Sequence, residues 1–535
     1  MSTIDLSQLS SARSYALLGL LAVLSFGLRF YDLGNNPPGF FRDEADKGYT
    51  SYSLLQTGKD QAGRSWPLFV RSLSVTTSAL YQYLDIPCIA ALGMTETAVR
   101  LPACLAGTLS VLVVFVLAQR WWGNSIALGA GLFVALSPWS LLLSRWANQS
   151  IGLTVFVPLG VLFFARNVEK QFASLRDVFL SALCFLAALY TYEPAQLFVP
   201  VFVSLLWLVS GSRESFAVER RFYYVRSLVL FFLLFAIGSI PLGHHLLFEP
   251  AQSAARFNRI SIFDGRPFPA IAGEWFRNYL LHLSPGFLFV HGDANPRHHL
   301  FLGQENLCLA PLVLIGLLRA FTRRSLTDRI LLVWFFCFPI AAACTRENIP
   351  HALRSIFAVP IIPLSAACGL AALLDWKSRL ESLTSPATLR ILAGGGVCVW
   401  VLSVWLYVYY LFGIYPAVTP MMWEYGYRQA ISWWQQQRQP NDRLIVSGVA
   451  EYPYIFFLFY DRYPPELWQR DNRIEGITFI PYGQSIEPYF KNEDQRTFYL
   501  VRPFELPNLQ PEKVILTPRR EAVWKWIVSG NEKKN

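Results

Sequence analysis

Two stretches near the start of the chain are decisive, SYALLGLLAVLSFGLRF at residues 14–30 and FRDEAD at residues 41–46. The first is almost wholly apolar, which is typical of a membrane-spanning helix. The second places two carboxylates, Asp43 and Glu44, shortly after that helix. Carboxylates are costly beside a bilayer and are rarely kept there without a partner or a function. The pair therefore predicts a membrane enzyme that takes up a proton at the membrane surface.

The composition extends this interpretation to the whole chain. Of 535 residues, 53% are hydrophobic and only 15% are charged, whereas a soluble domain carries about 25% charged residues. In a membrane protein, the net charge of +10 indicates cytoplasmic loops and anionic lipid headgroups rather than nucleic acid. The eight cysteines lie in or beside apolar stretches without CxxC spacing. We expect free thiols, and neither a disulfide framework nor a zinc site built on cysteines.

The chain contains eleven apolar stretches, which predict about eleven membrane helices. They lie near residues 14–30, 101–118, 126–143, 151–165, 178–190, 197–210, 227–246, 308–318, 330–344, 356–374 and 391–412. One set of connections is rich in Arg and Lys, whereas the short connections on the other face hold only Arg145, Arg346 and Arg354. Cytoplasmic loops carry the basic excess, so we expect a cytoplasmic N-terminus and an extracytoplasmic C-terminus. The first stretch lacks an A-x-A cleavage site and is interpreted as a retained span of a plasma (inner) membrane protein.

Three regions lie on the predicted outer face, at 31–100, 248–306 and 414–535. In the first, an apolar segment at 78–92 is interrupted by Asp85 and Pro87, which favours a helix lying in the interface. The third is more polar and alternates predicted helices with predicted short strands. The helices are at 424–437 and 454–460, and the strands at 444–446, 498–501 and 513–516. We therefore expect a multi-pass α-helical domain at 1–413 and a small extracytoplasmic α/β domain at 414–535.

The acidic pair admits two interpretations. Its carboxylates could simply cap the helix that follows. The same outer region, however, also supplies aromatic side chains such as Tyr81 and Tyr83. A sugar-binding cleft uses rings for stacking and carboxylates for hydroxyl groups, so both tyrosines are predicted to bind substrate. The alternative for the tyrosines is an interfacial aromatic belt.

Three arginines form the second predicted constellation. Arg100, Arg145 and Arg354 each lie at the outer end of a predicted span, where basic residues should be scarce. Any one of them could snorkel to lipid headgroups. Three at one depth predict a phosphate-binding cluster, because guanidinium groups bind phosphate bidentately.

All seven histidines fall on the predicted outer face. We expect His351, together with Asp293, to contact the substrate. A divalent metal ion held by histidine and either Asp293 or Asp43 is the alternative, although the spacing matches no HExxH motif. The chain has no P-loop, GxSxG or nucleotide-binding glycine motif, which argues against an ATP-driven pump.

These motifs together resemble the bacterial membrane glycosyltransferases of the GT-C fold. The chain is most similar to the group that contains protein O-mannosyltransferases (family 39) and lipid A aminoarabinose transferases (family 83). The resemblance covers residues 13–412 and rests on the order of several segments. They are FRDEA (41–45), GY (48–49), LQTG (55–58), VRLP (99–102), LSPW (136–139), SR (144–145), SPGFLF (284–289), GD (292–293), RH (297–298) and PHALR (350–354).

The resemblance implies a polyprenyl-phosphate-linked sugar as donor and an active site on the outer face. It implies that Asp43 is the catalytic base with Glu44 as its neighbour, whereas the arginines are matched by segment only. The tail at 415–535 departs from the three-repeat β-domain of eukaryotic O-mannosyltransferases, which puts a Ser/Thr-protein acceptor in doubt. The acceptor thus stays open among glycan, lipid and protein.

The chemistry also follows from the residues alone. A sugar phosphate already carries a good leaving group, so one general base suffices to activate the acceptor hydroxyl for an inverting displacement. Two other functions compete with this one. A flippase for lipid-linked sugars would place charges or helix breaks at the middle of paired spans, and an envelope glycan ligase or polymerase would differ in its acceptor.

Overall fold

The computed structural model of the chain describes residues 11–211, 218–249, 255–490 and 495–529. Parts of the predicted outer regions, at 250–254, 491–494 and 530–535, lie outside the described residues. The described chain is mostly helical. Its α-helices are α1 Ser11–Phe30, α2 Arg42–Thr57, α3 Leu80–Leu92, α4 Glu96–Trp122, α5 Asn124–Ala135, α6 Pro138–Leu143, α7 Leu153–Glu169, α8 Leu175–Leu189, α9 Ala195–Gly211, α10 Val218–Phe248, α11 Ala255–Ile260, α12 Phe268–Leu283, α13 Ala310–Arg323, α14 Leu326–Cys337, α15 Ile340–Ala343, α16 Ala358–Asp375, α17 Lys377–Leu383, α18 Pro386–Tyr409, α19 Tyr415–Val418, α20 Tyr427–Gln437, α21 Tyr454–Tyr460 and α22 Pro465–Asp471.

The described chain also has short 3₁₀-helical turns at Gln149–Gly152, Leu307–Leu309, Pro420–Trp423 and Glu487–Tyr489, and π-helical turns at Gly286–Val290 and Tyr410–Ile414. Seven strands were found as well. They are β1 Phe69–Ser72, β2 Val75–Ser78, β3 Arg443–Val446, β4 Ile477–Phe479, β5 Thr497–Val501, β6 Lys513–Leu516 and β7 Ala522–Ser529. β1 and β2 form an antiparallel hairpin, and the other five form one sheet in the order β4-β3-β5-β7-β6.

The chain forms two compact units. The first comprises residues 1–31 and 103–411, and the second comprises residues 32–102 and 412–535. This grouping differs from the predicted division at 413/414, which assigned the outer region 31–100 to the transmembrane domain. The physical reason is the packing of α2, which contacts α3, α21 and α22. The first outer region thus shares a unit with the C-terminal segment.

Seven helices of the described chain are long and apolar enough to cross a membrane. They are Ser11–Phe30, Glu96–Trp122, Gln149–Glu169, Arg220–Phe248, Leu326–Ala343, Ala358–Asp375 and Pro386–Val418. All eleven predicted stretches overlap helices, but α5, α8, α9 and α13 have only 12–17 residues. At about 1.5 Å per residue they reach at most about 26 Å, less than the hydrocarbon core of about 30 Å. The predicted count of eleven spans is therefore not reproduced by helix length.

Small residues set the closest helix contact in the first unit. A Cβ on Gly316 of α13 would lie 2.0 Å from the carbonyl oxygen of Ser365, and a Cβ on Gly369 of α16 would lie 2.0 Å from that of Leu312. Only glycine allows the two backbones to approach so closely, as is usual between membrane helices.

The C-terminal part of the second unit confirms the predicted α/β character. The predicted helices correspond to α20 and α21, and the predicted strands to β3, β5 and β6. The sheet is mixed, because β3 runs parallel to β4 and β5 whereas β7 runs antiparallel to β5 and β6. One face of it packs a core of buried residues, namely Ile480, Ile486, Tyr499, Val501 and Ile527.

Candidate functional site

Helix α2 carries the predicted acidic pair in its first turn. Asp43 and Glu44 follow Arg42, its first residue, and carboxylates are favoured there by the positive end of the helix dipole. The Asp43 side chain is only partly buried, and its carboxylate forms no hydrogen bond or ion pair with any described residue. Its backbone carbonyl accepts a hydrogen bond from Lys47 Nζ at 3.3 Å. The Asp43 carboxylate is therefore available to a ligand.

Glu44 has the opposite environment. Its side chain is fully buried and accepts two hydrogen bonds from Arg100, from Nε at 2.9 Å and from Nη2 at 3.0 Å. Glu44 Oε2 also accepts from the backbone N–H of Phe41 at 3.1 Å. The Glu44 side chain thus fixes the start of α2 from inside the unit. The prediction that Glu44 shares the catalytic site with Asp43 stays a prediction, and this geometry favours a supporting role for Glu44.

Arg100 is fully buried as well, and all its donors are used. Besides Glu44, its guanidinium donates to the carbonyl oxygens of Leu33 (2.9 Å), Pro37 (3.2 Å) and Gly39 (2.5 Å). No N–H group remains for a phosphate. The predicted role of Arg100 in donor binding stays a prediction, and its pairing with Glu44 favours a structural role instead.

The two predicted sugar-binding tyrosines have structural contacts. Tyr81 is 5% exposed and its hydroxyl donates to the Val99 carbonyl at 2.8 Å. Tyr83 donates to the Pro67 carbonyl at 2.6 Å and stacks on Trp66, with ring centroids 6.0 Å apart. The burial of Tyr81 favours a structural role over its predicted contact with substrate. Tyr83 and Trp66 keep a partly exposed aromatic surface.

A row of buried charge that the sequence did not reveal continues from Asp43 along α2. Asp46 lies one turn further on and is 1% exposed. It accepts hydrogen bonds from Ser72 Oγ (2.6 Å) and Gln61 Nε2 (3.0 Å). Burial raises the pKa of Asp46 to about 6, and the buried Lys47 opposes that rise. Asp46 and Lys47 follow Asp43 by three and four residues, which puts all three on one face of the helix. This spacing could have predicted the cluster from the sequence.

The remaining predicted arginines belong to the first unit. Arg145 is fully buried and donates from Nη1 to the carbonyls of Leu28 (2.7 Å) and Arg29 (3.0 Å), and from Nη2 to that of Tyr31 (2.8 Å). It therefore caps the C-terminal end of α1, where a cation is favoured by the helix dipole. Its predicted role in phosphate binding stays a prediction, and these contacts favour a structural role.

Arg354 differs from the other two arginines. It donates from Nη1 to Thr345 Oγ1 (2.9 Å) and the Glu347 carbonyl (2.8 Å), and Nη2 forms an ion pair with Glu347 Oε2 at 3.3 Å. The Glu347 side chain is 54% exposed. The Arg354 side chain itself is only 5% exposed, so of this pair it is the Glu347 carboxylate that can turn away into solvent.

The two other predicted substrate contacts, Asp293 and His351, lie together, and the structure adds His298. Asp293 Oδ2 is 2.9 Å from His298 Nδ1 and 4.0 Å from His351 Nδ1. All three side chains are buried, at 1%, 5% and 7% exposure. His282 supports them, because its Nε2 accepts the backbone N–H of His351 at 3.0 Å. The sequence signal for His298 was its place five residues after Asp293 in one loop.

Comparison with known proteins places the fold. Residues 82–239 match the family described as dolichyl-phosphate-mannose-protein mannosyltransferase, and no curated protein matches the chain in sequence. The structure is similar to ArnT from Cupriavidus metallidurans in the apo state, with 13% identity, a TM-score of 0.59, and coverage of 97% of this chain and 98% of that one. ArnT bound to undecaprenyl phosphate gives 15% identity, a TM-score of 0.57 and the same coverage. The Archaeoglobus fulgidus oligosaccharyltransferase in the apo form has 13% sequence identity and a TM-score of 0.52. The match covers 84% of this chain and 64% of that one.

The chain accordingly has the ArnT-like GT-C fold of membrane glycosyltransferases, with several apolar helices and a small C-terminal sheet domain. The resemblance predicted from the order of its motifs is confirmed. The matched family segment begins after the acidic pair, so the role of Asp43 depends on its own geometry.

Proposed function

We propose that the protein is an integral membrane glycosyltransferase. It transfers a hexose or pentose from a polyprenyl-phosphate donor to an acceptor hydroxyl on the extracytoplasmic face of the plasma (inner) membrane. Two findings support this proposal, namely the ArnT-like fold and the match of residues 82–239 to a mannosyltransferase family. A protein of that fold has been solved with undecaprenyl phosphate bound, which favours a lipid phosphate as the donor carrier. The orientation rests on the distribution of Arg and Lys over the connections.

The single observation that carries the mechanism is the unequal environment of the acidic pair. Glu44 is fully buried against Arg100, whereas the Asp43 carboxylate is partly exposed and has no partner among the described side chains. A general base needs an accessible oxygen within reach of the proton that it removes. Asp43 meets that requirement and Glu44 does not.

In the proposed reaction, Asp43 takes the proton of the acceptor hydroxyl as its oxygen attacks the anomeric carbon. The new C–O bond forms as the bond from that carbon to the phosphate oxygen breaks, which inverts the configuration. The lipid phosphate leaves with the electron pair of the broken bond. Positive charge at a departing phosphate lowers the barrier. Within the first unit, we propose Arg354 as a ligand of the donor phosphate, because its carboxylate partner Glu347 is exposed.

The test is complementation of cells that lack the protein. Mass analysis of their envelope glycans and glycoproteins identifies the missing sugar and its acceptor. We expect wild type to restore it and Asp43→Asn to reduce transfer by about 10²–10⁴-fold, the usual contribution of a general base. Asp32→Asn is the matched control, because Asp32 is an exposed carboxylate of the same outer region with a left-handed φ of 53° that asparagine tolerates.

Three results would contradict the proposal. Full restoration by Asp43→Asn would remove Asp43 from the chemistry. Movement of intact lipid-linked sugar across vesicle membranes without sugar turnover would instead indicate a flippase. A product whose chain length increases with the length of the acceptor would favour an envelope glycan ligase or polymerase.

A further inference from the structure

The cluster of Asp293, His298 and His351 has a feature that hydrogen bonding alone does not explain. Asp293 is a carboxylate at 1% exposure, and no lysine or arginine in the described parts of the chain pairs with it. Its ion-pair neighbours are the two histidines. A buried carboxylate is usually paired with a cation or coordinates a metal ion.

The three side chains are also held in place before any ligand arrives. Asp293 Oδ1 accepts the N–H of Asn295 at 2.8 Å, and Oδ2 accepts the N–H of Ala352 at 2.7 Å. His298 lies parallel to Trp146, with ring centroids 6.4 Å apart and an interplanar angle of 9°.

His351 is anchored through its backbone. Its N–H donates to Nε2 of His282, and Nδ1 of His282 is 2.7 Å from the Asn278 carbonyl, to which it donates. Metal sites are supported by outer contacts of this kind, which orient the ligands.

The spacing of the donor atoms leaves room for one ion. The donor atoms of the three residues all lie within 4.8 Å of one another. Ligand atoms about 2.0–2.2 Å from a tetrahedral zinc ion lie about 3.3–3.6 Å apart. The 4.0 Å between His351 Nδ1 and Asp293 Oδ2 would therefore close by about half an ångström, and the 2.9 Å between His298 Nδ1 and Asp293 Oδ2 would open by about as much. The His351 imidazole would at the same time release the Arg354 N–H that its Nδ1 accepts at 3.4 Å.

We infer that Asp293, His298 and His351 form a binding site for one divalent transition-metal ion of the zinc class. Two imidazoles with one carboxylate are a common donor set for zinc, iron and cobalt, whereas magnesium and calcium prefer oxygen ligands only. The ion takes the place of the hydrogen bond between His298 and Asp293. The imidazole proton of His298 moves from Nδ1 to Nε2, so the ring stays neutral and no proton is released.

The site joins two segments of the first unit. Asp293 and His298 follow the π-helical turn Gly286–Val290, and His351 precedes α16. A bound ion would therefore clamp the two loops together. Three protein ligands leave at least one coordination position for an oxygen ligand such as water.

The experiment uses the full-length protein in detergent, without a histidine tag and after treatment with EDTA. Titration with Co²⁺ is followed by its visible absorption, and titration with Zn²⁺ by calorimetry. We expect one equivalent of each ion to bind to wild type. Asp293→Asn and the double variant His298→Ala/His351→Ala should lose more than the roughly 10–100-fold in affinity that removal of an outer contact costs.

His299→Ala is the matched control, because His299 lies beside His298 and contacts the Asn295 carbonyl instead of the cluster. It should bind both ions as wild type does. Equal affinity of wild type and the cluster variants would overturn the assignment, as would a wild type that takes up no stoichiometric ion. X-ray absorption of the cobalt-loaded wild type needs no variant, and a first shell without two imidazoles would also refute the site.

Discussion

The buried pair of Glu44 and Arg100 gives the sharpest test of the structure. Its two carboxylate oxygens and two guanidinium nitrogens meet at 2.9 and 3.0 Å with both side chains at 0% exposure. Removing one partner of a buried pair leaves an uncompensated charge, which costs about 3–5 kcal/mol. Glu44→Gln should therefore reduce the free energy of unfolding by about that amount.

Arg100→Met should cost more than Glu44→Gln. It leaves the Glu44 charge without its cation, and it also removes the donors to the carbonyls of Leu33, Pro37 and Gly39. At about 1 kcal/mol per lost hydrogen bond, the extra destabilisation is about 2–3 kcal/mol. The double variant Glu44→Gln/Arg100→Met should cost less than the sum of the single variants, by about 1–3 kcal/mol, because the partners interact directly.

The assay is thermal unfolding in detergent followed by tryptophan fluorescence. A domain of 150–250 residues loses about 2–4 °C in Tm per kcal/mol, so Glu44→Gln should lower the Tm by roughly 6–20 °C. Arg438→Met is the control, because Arg438 forms a surface ion pair with Asp461 in the same unit. Its expected cost is below about 1 kcal/mol.

One result would refute this reasoning. If Arg100→Met kept the wild-type Tm and weakened only the binding of a short-chain polyprenyl phosphate, Arg100 would be a phosphate ligand after all. The described hydrogen bonds would then not represent its functional state.

Two further predictions follow, one for the first unit and one for the second. Arg354→Ala should weaken binding of a short-chain polyprenyl phosphate by about tenfold or more, which is the value of one charge-assisted hydrogen bond. The control is Arg346→Ala, which changes an exposed arginine of the same loop and should leave this binding unchanged. If the two variants gave equal titrations, Arg354 would have only a structural role. Asp46 has a folded-state pKa of about 6 against a usual 3.8, so the unfolded chain ionises first. Wild-type stability therefore falls by about 2 kcal/mol as the pH rises from 4 to 6, out of about 3 kcal/mol over the whole titration. Asp46→Asn should flatten this pH dependence of the Tm, and an unchanged slope would contradict the assigned burial.

Much of the fold could be predicted because it depends on local patterns. Apolar stretches identified every described helix that is long and apolar enough to cross a membrane, and strand-like runs identified β3, β5 and β6. They missed α12, which lies in the predicted outer region 248–306. β4 has only three residues, and β7 alternates bulky aromatic side chains with a lysine, so neither showed a clear period. The grouping of 32–102 with 412–535 depends on contacts between distant segments, about which hydropathy carries no information.

The arginines show why the site was harder to predict than the fold. Arg100 and Arg145 were placed at a membrane surface because each ends an apolar stretch. In the structure, the guanidinium N–H groups of both arginines donate to backbone carbonyls, and those of Arg100 also donate to Glu44. A sequence shows the charge of an arginine but not the carbonyl groups that irregular backbone brings to it, and buried carbonyls need donors as strongly as a phosphate does.

The acidic pair shows how two adjacent carboxylates can have different functions. Successive residues of a helix point about 100° apart, so when Glu44 faces Arg100 in the interior, Asp43 must face away from it. The Glu44–Arg100 pair also connects the start of α2 to the turn that holds Leu33, Pro37 and Gly39. Glu44 is thus a positioning residue, and loss of its charge should reduce transfer only by displacing Asp43. Asp43→Asn, in contrast, should reduce transfer by about 10²–10⁴-fold with little loss of Tm. Its carboxylate has no partner to lose among the described residues, and the helix dipole contributes at most about 1 kcal/mol.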